Sequence, residues 1–264
     1  MNILLIDLGY YNFYRFYATK QWYKSANPDD KFEQGYDWSQ NEIFWKKFSK
    51  MFLTNIDKYI KKFNIDKIVI AKDCPRCQIW RTSLFDKYKG NREENYKKTN
   101  FQGGKVFKRS YEEIIPDLIK KKNFKLMKCK CLEADDLIAI CVKKFKKNKN
   151  NNLWVVSSDH DLLQLIDENV TLINAKMKSY NNKSYGSPEK DVFMKVILGD
   201  KSDNIPKVFN RVGEKTALKI YDDKKLLLQK FRDNKGSFEQ FCFNKLLIDF
   251  KYIPIDIKKV KIKL

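Results

Sequence analysis

Four short apolar runs constrain the fold of this 264-residue chain more than any other feature. They cover Ile3 to Ile6, Ile68 to Ala71, Leu153 to Val156 and Val170 to Ile173, and each is rich in Val, Ile or Leu without regular polar alternation. Strands of a parallel sheet that is covered on both faces have this composition, whereas half-exposed strands alternate. The sequence therefore predicts a buried parallel sheet.

Segments with helical spacing separate these runs. Between the first two, apolar side chains recur every three to four residues with lysines between them, which is typical of an amphipathic helix. They are Ile43, Phe44, Phe48, Phe52, Ile56, Ile60 and Phe63. A second helix is predicted from about Glu133 to Phe145, before the polar stretch from Lys147 to Asn152. Strand and helix alternate, so the predicted fold class is α/β, a parallel sheet flanked by helices.

The charge balance indicates a polyanionic partner. Lys and Arg number 54 against 33 Asp and Glu, so the formal net charge is +21, and the excess is spread along the chain. Nucleic acid and anionic membrane both attract such a protein. However, no apolar run approaches the roughly eighteen residues of a spanning helix, and the basic residues do not gather on one amphipathic helix. Nucleic acid is the favoured partner, and no membrane contact is expected.

Length and cysteine content indicate one intracellular enzyme-sized unit. With 43% apolar side chains, 264 residues suffice for one good core and a smaller lobe. The N-terminal residues MNILLIDLGYY contain neither a basic leader nor a small-residue cleavage site. The six cysteines are expected to be reduced, since a chain of this length does not resemble a small disulfide-rich domain. We expect a monomer inside the cell, cytoplasmic for a bacterial or phage protein.

Acidic side chains stand where three of the predicted strands end. Asp7 follows the first strand, Asp73 closes IVIAKD, and Asp159 and Asp161 follow the third strand in the run SSDHD. In an open parallel sheet, binding sites form outside the carboxyl ends of the strands. One edge of the sheet is therefore predicted to collect four carboxylates.

Two further acidic motifs enlarge this set. CLEADDL supplies Glu133, Asp135 and Asp136 at the start of a helix, and GDKSDN supplies Asp200 and Asp203 about one helical turn apart. Each acid alone has a structural explanation as a helix cap or turn residue. Crowded together, they would raise one another's pKa unless cations lay between them. Ligands that are all oxygen select hard ions such as Mg²⁺ or Mn²⁺.

Hydrolysis of a phosphodiester is a reaction that uses many carboxylates. Two divalent ions about 4 Å apart activate the attacking water and stabilise the leaving oxygen. Basic side chains elsewhere on the protein can then bind the flanking phosphates. The acids and the positive net charge together predict a metal-dependent phosphodiesterase, in which some acids act through waters on the ions.

Five segments, taken in order, carry a family resemblance. They read IDLGYYNFYR, AKDCPRCQIWR leading to FDKYKGNRE, CLEADDLIA, VVSSDHDLLQLIDENVTLIN, and LGDKSDNIPKV with GEKTALKI. Together they resemble the 5′-3′ exonuclease and flap endonuclease family over nearly the whole chain. The resemblance implies a PIN-like core over residues 1–186, a helical arch over residues 85–109 and a helix-three-turn-helix lobe over residues 187–264. It also implies a nuclease for DNA with 5′ ends or flaps, with RNA–DNA hybrid as a variant substrate.

The resemblance assigns nine acids to two divalent ions, Mg²⁺ or Mn²⁺. One group is Asp7, Asp73, Glu133, Asp135, Asp136 and Asp159, and the other is Asp161, Asp200 and Asp203. In the family, the segment that matches YKGNR lies at the base of the arch, where its basic residues approach the scissile phosphate. That role falls to Lys89 and Arg92 here, with Arg81 as a further candidate.

The arch segment supplies the predicted contacts with single-stranded DNA. The resemblance assigns these to Lys87, Tyr88, Tyr96, Lys97 and Lys98. A tyrosine in such a segment either stacks on a base or packs beneath the lysine stems, and the sequence leaves both open. Arg15, in the segment after the first strand, is also expected to reach a phosphate.

In the C-terminal lobe, Gly213, Lys215 and Thr216 match a hairpin that holds a phosphate of duplex DNA. The family pattern also implies K⁺ at this hairpin. This chain departs from the pattern where a further glycine usually stands three positions before Gly213. Asn210 occupies that position, and it is expected to adopt the left-handed conformation in place of glycine.

Two alternative sites compete with the carboxylates. Cys74, Cys77, Cys129 and Cys131 could form a zinc site, but the second pair has only one residue between its cysteines, an unusual spacing. His160, the only histidine, could serve as a general base between two aspartates, although alternation along the chain favours an outward orientation. Neither is preferred.

Two other functions remain open. The chain could bind branched or single-stranded nucleic acid without cutting it, but a site that had lost catalysis would not be expected to keep so many costly carboxylates together. It could also be a PIN-like ribonuclease, which the additional C-terminal lobe makes less favoured.

Overall fold

A five-stranded sheet forms the centre of the protein, for which the computed structural model describes residues 1–33, 35–121 and 123–254. The strands are β1 (Asn2–Asp7), β2 (Lys67–Ala71), β3 (Phe124–Met127), β4 (Asn152–Val156) and β5 (Val170–Ile173). Their order in the sheet is β3-β2-β1-β4-β5, and every neighbouring pair is parallel. The four predicted strands are confirmed, and so is the predicted α/β class with a parallel sheet flanked by helices.

The edge strand β3 is the element that the apolar pattern did not predict. Its sequence is FKLM, with Phe124 buried, Lys125 exposed and the last two residues half-buried. An edge strand pairs on one side only, and its polar position meets solvent. Such a strand lacks the continuous apolar run that identified the other four.

The helices lie on both faces of the sheet and at its C-terminal edge. In the core they are α1 (Leu8–Ala26), α2 (Glu42–Phe63), α3 (Trp80–Leu84), α4 (Arg92–Lys98), α5 (Gly104–Arg109), α6 (Ile115–Ile119) and α7 (Ala134–Phe145). The last four are α8 (Pro188–Leu198), α9 (Glu214–Asp222), α10 (Lys224–Asp233) and α11 (Ser237–Ile248). The two predicted helices correspond to α2 and α7. Among the described residues, no helix is both long and apolar enough to cross a membrane.

Alternate residues of the central strands supply two separate cores. In β1, Leu4 and Ile6 pack with the aromatic residues of α1 and α2, whereas Ile3 and Leu5 pack with α7 on the other face. Successive side chains of a strand point to opposite faces, so a sheet covered on both sides needs apolar residues at every position. This explains the unbroken run ILLI.

A third hydrophobic core joins the last four helices to the segments that follow β2. Cys74, Ile79 and Tyr88 pack with buried residues of α8, α9 and α11, including Met194 and Leu247. The predicted division of the chain at residue 187 stays a prediction, and residues 255–264 of the proposed lobe lie outside the described residues. Packing across this boundary holds the two segments against each other at the C-terminal edge of the sheet.

The end of α2 provides a test of the backbone geometry. Asn64 caps this helix in the left-handed conformation, at φ 49° and ψ 54°, three residues before β2 begins. Glycine adopts this conformation without steric cost, whereas alanine is strained there. We expect Asn64→Gly to keep the free energy of unfolding within about 0.5 kcal/mol of the original, and Asn64→Ala to lower it by about 1 kcal/mol. Urea denaturation measures both, and equal stability of the two variants would contradict the assigned conformation.

Candidate active site

The carboxylates predicted at the strand ends meet at the C-terminal edge of the sheet. Asp7 is the last residue of β1, and Asp73 follows β2 by two residues. A Cβ atom built on Gly9 would lie 3.1 Å from Asp73 Oδ2 and 3.4 Å from Asp7 Oδ1, so both carboxylates crowd the first turn of α1. The small side chain of Gly9 leaves room for them, a role that the sequence analysis did not assign.

The other seven predicted acids form three overlapping groups. In each group, one carboxylate oxygen from every member lies within 4.8 Å of the others. The groups are Glu133, Asp135 and Asp136, then Asp135, Asp159 and Asp161, then Asp161, Asp200 and Asp203. Because Asp135 and Asp161 each belong to two groups, the acids form one continuous series, which we call the carboxylate row together with Asp7 and Asp73. The structure thus brings all nine predicted acids together.

Asp7 illustrates the electrostatics of the carboxylate row. Its carboxylate accepts hydrogen bonds from the backbone N–H of Tyr10 at 3.0 Å and from Ser157 Oγ at 3.1 Å. Burial and, next, the neighbouring Asp73 carboxylate together raise its pKa to about 7 against the lowering effect of the Tyr10 hydrogen bond. A carboxylate in this position favours a proton or another cation beside it.

Glu133 and Asp136 are held by the start of α7. The Glu133 side chain and the Asp136 side chain bond reciprocally to the backbone of this first turn, which forms a capping box. Asp136 also accepts hydrogen bonds from Trp80 Nε1 at 3.0 Å and from two nitrogens of Arg81 at 2.7 and 3.0 Å. Both of its oxygens therefore accept hydrogen bonds from protein donors.

Arg81 lies beneath the carboxylate row. It is only 2% exposed and donates to Glu133 at 2.9 Å, to Asp136 and to the backbone oxygen of Leu247 at 2.7 Å. This differs from the expected approach to a phosphate, because its guanidinium is buried and its donors are occupied. The packing of α11 against α3 places it there.

Lys89 and Arg92, which the resemblance places at the base of the arch, lie beside the carboxylates of Glu133 and Asp203. The buried Lys89 ammonium contacts Glu133 and lies 3.6 Å from Asp203, whose other oxygen is 3.3 Å from the half-exposed Arg92 guanidinium. Burial and, next, Asp135 raise the pKa of Glu133 to about 7 against the lowering effects of Lys89 and Arg81. Lys89 and Arg92 thus offset part of the negative charge that is crowded at Glu133 and Asp203.

Tyr88 does not stand where a base could stack on it. Its ring is 3% exposed, and its hydroxyl lies 3.0 Å from both Glu133 Oε2 and Asp203 Oδ2. The aromatic ring packs in the third core with Ile79 and Val208. Base stacking by Tyr88 is corrected accordingly: this tyrosine joins two acids of the carboxylate row from below.

Lys195 is a cation of the site that the sequence analysis missed. Its ammonium contacts Asp161 and lies 2.8 Å from Asp200 Oδ2. Partial burial acts to raise the pKa of Asp200, but Lys195 and Ser202 outweigh it and lower the pKa to about 2. By contrast, burial raises the pKa of Asp161 to about 8 in spite of the same lysine. A single lysine within the apolar run VFMKVIL was the available signal.

The predicted arch segment carries Lys89 and Arg92, which lie beside Glu133 and Asp203 of the carboxylate row. It contains α4 and α5, joined by a loop in which Phe101 packs on Phe13 and Phe107, with ring centroids 5.0 and 5.6 Å apart. Tyr96 is 43% exposed, and Lys87, Lys97 and Lys98 are also exposed. These four side chains are accessible to a ligand, as their predicted role requires.

Arg15 is not accessible to a phosphate. It is 4% exposed on the face of α1 that packs inward, and its guanidinium lies 4.4 Å from the centroid of the Tyr14 ring. Residues spaced by four along α1 share this face, since Tyr11 and Thr19 are buried as well. The prediction that Arg15 contacts a phosphate is therefore wrong, because Arg15 lies on the buried face of α1.

The C-terminal hairpin ends at the start of α9. Gly213 caps this helix without a side-chain hydrogen bond, and Lys215 and Thr216 are exposed in its first turn. The backbone N–H groups of this turn are thus open to an anion. Asn210 does not adopt the predicted left-handed conformation, because Arg211 does so instead, at φ 58°.

The alternative sites have no support from the geometry. No group of three possible metal ligands among the described residues includes a cysteine, and all six cysteines are free thiols. His160 is exposed, and its ring packs near Tyr180 at a centroid distance of 5.9 Å. The carboxylate row is the candidate site.

Comparison with known proteins places this geometry in a family. A model described as the N-terminal resolvase-like domain of 5′-3′ exonuclease matches residues 2–193. The chain belongs to the 5′-3′ exonuclease family. The ribonuclease H of Enterobacteria phage T4 is 31% identical over 219 residues, which cover 76% of this chain and 70% of that protein. The 5′-3′ exonuclease of Mycoplasmopsis pulmonis is 30% identical over 234 residues, 79% of this chain and 73% of the relative.

Solved structures show the same fold. The 5′-exonuclease of bacteriophage T5 with bound zinc ions superposes with a TM-score of 0.67 at 19% identity, over 95% of this chain and 90% of that one. A complex of the T5 D15 flap endonuclease with DNA and metal ions gives a TM-score of 0.64 at 19% identity, over 95% and 89% of the two chains. The family's fold thus extends through the last four helices.

Removal of Arg81 tests the cation beneath the carboxylate row. Arg81→Met leaves Asp136 buried without its charge partner, and we expect the free energy of unfolding to fall by about 3–5 kcal/mol. Urea denaturation measures the loss. In the matched variant Lys120→Met, which removes an exposed ion pair with Asp117, the change should stay below about 1 kcal/mol. Similar small losses in both variants would contradict a structural role for Arg81.

Proposed function

We propose that this protein is a structure-selective 5′ nuclease that hydrolyses DNA phosphodiesters with two divalent cations, Mg²⁺ or Mn²⁺. The continuous carboxylate row carries the proposal. It offers oxygen ligands alone, which suits hard cations. Burial, and then neighbouring carboxylates, raise the pKa of Asp7 and Glu133, and burial raises that of Asp161, so a cation beside these groups would stabilise their charged forms, which supports the proposed ions.

Asp7, Asp73, Glu133, Asp135 and Asp159 would hold one ion, and Asp161, Asp200 and Asp203 would hold the other. Asp136 is proposed to position Glu133 and Arg81 rather than to bind an ion, because its oxygens already accept hydrogen bonds from protein donors. Bound divalent cations would lower the pKa of an attacking water and offset the charge on the leaving oxygen.

The basic side chains around the row bind the reacting phosphate in this proposal. Lys89 and Arg92 each face Asp203, and Lys195 faces Asp161 and Asp200. Cations at the carboxylates would free these side chains to donate to a phosphate that lies above the row. Arg81 supports Glu133 from beneath and does not touch the substrate.

DNA is the proposed substrate because positive charge flanks the carboxylate row. On one side, Lys87, Tyr96, Lys97 and Lys98 are exposed on the arch segment, where a single-stranded 5′ end or flap would lie. Beyond the other end, α9 presents free backbone N–H groups with Lys215 and Thr216 to a duplex phosphate. The proposed helix-three-turn-helix lobe, K⁺ at its hairpin and a monomeric enzyme rest on the family resemblance. The complex of the T5 flap endonuclease with DNA and metal ions supports this choice of substrate.

Removal of RNA primers is a second candidate. The relative from phage T4 is named a ribonuclease H and is 31% identical to this chain. An RNA–DNA hybrid offers the same phosphate groups, since RNA and DNA differ in the sugar and not in the phosphodiester. The two candidates differ only in which strand chemistry the site accepts.

A cleavage assay tests the proposal. Purified protein is incubated with a 5′-flapped duplex, a blunt duplex, an RNA–DNA hybrid and single-stranded RNA, with Mg²⁺ or with chelator. We expect cutting of the flap only with Mg²⁺, and at least about 100-fold less cutting by Asp159→Ala with DNA binding retained in a gel shift. Asp117→Ala, an exposed acid on α6, is the control and should cut normally. Cutting in chelator would exclude the metal mechanism, whereas bound but uncut flap with the original protein would indicate a non-catalytic binder.

The raised pKa values predict how pH and metal act together. Asp7 and Glu133 titrate near pH 7 and Asp161 near pH 8, all above their unfolded values, so the folded protein holds more protons between about pH 4 and these values. Without metal, stability contributed by these groups is present at low pH and is lost as the pH rises through 7 to 8. We expect Mg²⁺ to raise the melting temperature more at about pH 8 than at about pH 5. An equal increase at both values, measured by thermal unfolding, would contradict the assignment.

A further inference from the structure

A basic cavity opens beside Asp73 of the carboxylate row. Its volume is about 580 Å³, and it is lined by Lys72, Asp73, Tyr111, Lys128, Cys129 and Lys130 among others. We infer that this cavity binds phosphate-bearing nucleotides of the single strand that leaves the carboxylate row, which we call the exit subsite. The inference rests on the proposed nuclease function and names where its 5′ single strand is held.

Three separate segments build the exit subsite. Lys72 follows β2 directly, Lys128 to Lys130 follow the edge strand β3, and Tyr111 lies in the π-helical turn Ser110–Ile114 after α5. The carboxyl ends of β2 and β3 meet because the strands are parallel neighbours. Lys72 Nζ lies 4.1 Å from the centroid of the Tyr111 ring, so the second end of the arch segment is attached to the sheet edge at this point.

The three lysines of the exit subsite, Lys72, Lys128 and Lys130, are available to bind an anion. Lys128 and Lys130 are exposed and Lys72 is half-buried. Within the part of the chain that the structure describes, none of the three forms an ion pair with a carboxylate, whereas Arg81, Lys89 and Lys195 all do. The cavity has three lysines against one carboxylate, that of Asp73, so it keeps an excess of positive charge that favours an added anion. A phosphate supplies that anion, and uncharged ligands do not.

The position of the cavity selects the single strand over the duplex. Asp161, Asp200 and Asp203 lie at the end of the row next to α8 and the C-terminal lobe, where the proposed duplex contacts are. Asp73 lines the cavity together with Tyr111, which follows the arch segment where the proposed single strand lies. A single strand that lies against the arch segment and the row can therefore extend into the exit subsite. The cavity volume also falls in the range of about 300–1,000 Å³ that is usual for sites of nucleotide size.

Free nucleotides share this chemistry with the strand. A nucleoside monophosphate released by cutting carries the same phosphate and could enter the same cavity. The strand is favoured because the cavity is continuous with the carboxylate row through Asp73, so neighbouring phosphates of one chain can occupy both. The experiment separates the two sources.

Binding in chelator tests the inference without cutting the DNA. Fluorescence anisotropy gives affinities for a blunt duplex, for the same duplex with a five-nucleotide 5′ extension and with a 3′ extension, and for competition by deoxyadenosine monophosphate. The test variant is Lys128→Gln with Lys130→Gln, and Lys58→Gln with Lys61→Gln on α2 removes the same charge from the far end of the sheet. A third variant, Lys128→Arg with Lys130→Arg, keeps the charge.

We expect the test variant to bind the 5′-extended duplex at least about threefold more weakly, with its salt slope reduced by about 1.4 for two lost phosphate contacts on a single strand. Its affinity for the blunt duplex should change no more than that of the α2 control, and the arginine variant should restore the extended duplex. An equal loss in the control, an equal loss for the blunt duplex, or a loss confined to the 3′ extension would each overturn the exit subsite. A variant that no longer binds the mononucleotide but keeps its affinity for the 5′-extended duplex would also overturn it. Wild-type protein that binds but cuts no substrate in Mg²⁺ would refute the nuclease function separately.

Discussion

Mutual repulsion among carboxylates is the constraint on which the site depends. Parallel strands bring Asp7 and Asp73 to one edge of the sheet, and α7 and the segment after α8 add acids to the same place. Three buried or half-buried cations oppose this repulsion: Arg81, Lys89 and Lys195. Ion pairs of this kind seldom stabilise a fold more than apolar packing would. Their value is geometric, because they hold the acids in place while leaving the row with too little positive charge.

The fold and the acids were predictable because each depends on local composition. A strand buried on both faces must be apolar at every position, and acids that follow such strands must meet at one edge. Four of the five strands and the gathering of Asp7, Asp73, Asp159 and Asp161 follow from these two rules, whereas the motifs CLEADDL and GDKSDN and the family resemblance supplied the other five acids. Strand β3 was missed because it is a half-exposed edge strand whose Lys125 interrupts the apolar pattern. The family resemblance, not the spacing, supplied the choice of 5′ structures as substrate.

The direction of long side chains was the less predictable part. Arg15 shares a helix face with Tyr11 and Thr19, so its burial follows from a phase that could have been read at spacing four. Arg81 and Tyr88 turn inward because distant segments, α11 and the loop at Asp203, close over them. No local pattern reports such contacts. Lys195 is the intermediate case, since a lone lysine in an apolar helix requires an acidic partner, but the sequence does not say which.

The arch segment and the turn that follows it meet the site at two places. The arch segment brings Lys89 and Arg92 to Asp203, and the turn brings Tyr111 to Lys72 beside Asp73. The carboxylate row lies between these attachments, within a protein of net charge +21. The surrounding field draws a polyanion towards the site, whereas the row itself repels a phosphate at close range. Cations at the carboxylates should therefore strengthen the binding of the strand along the row as well as supply the chemistry.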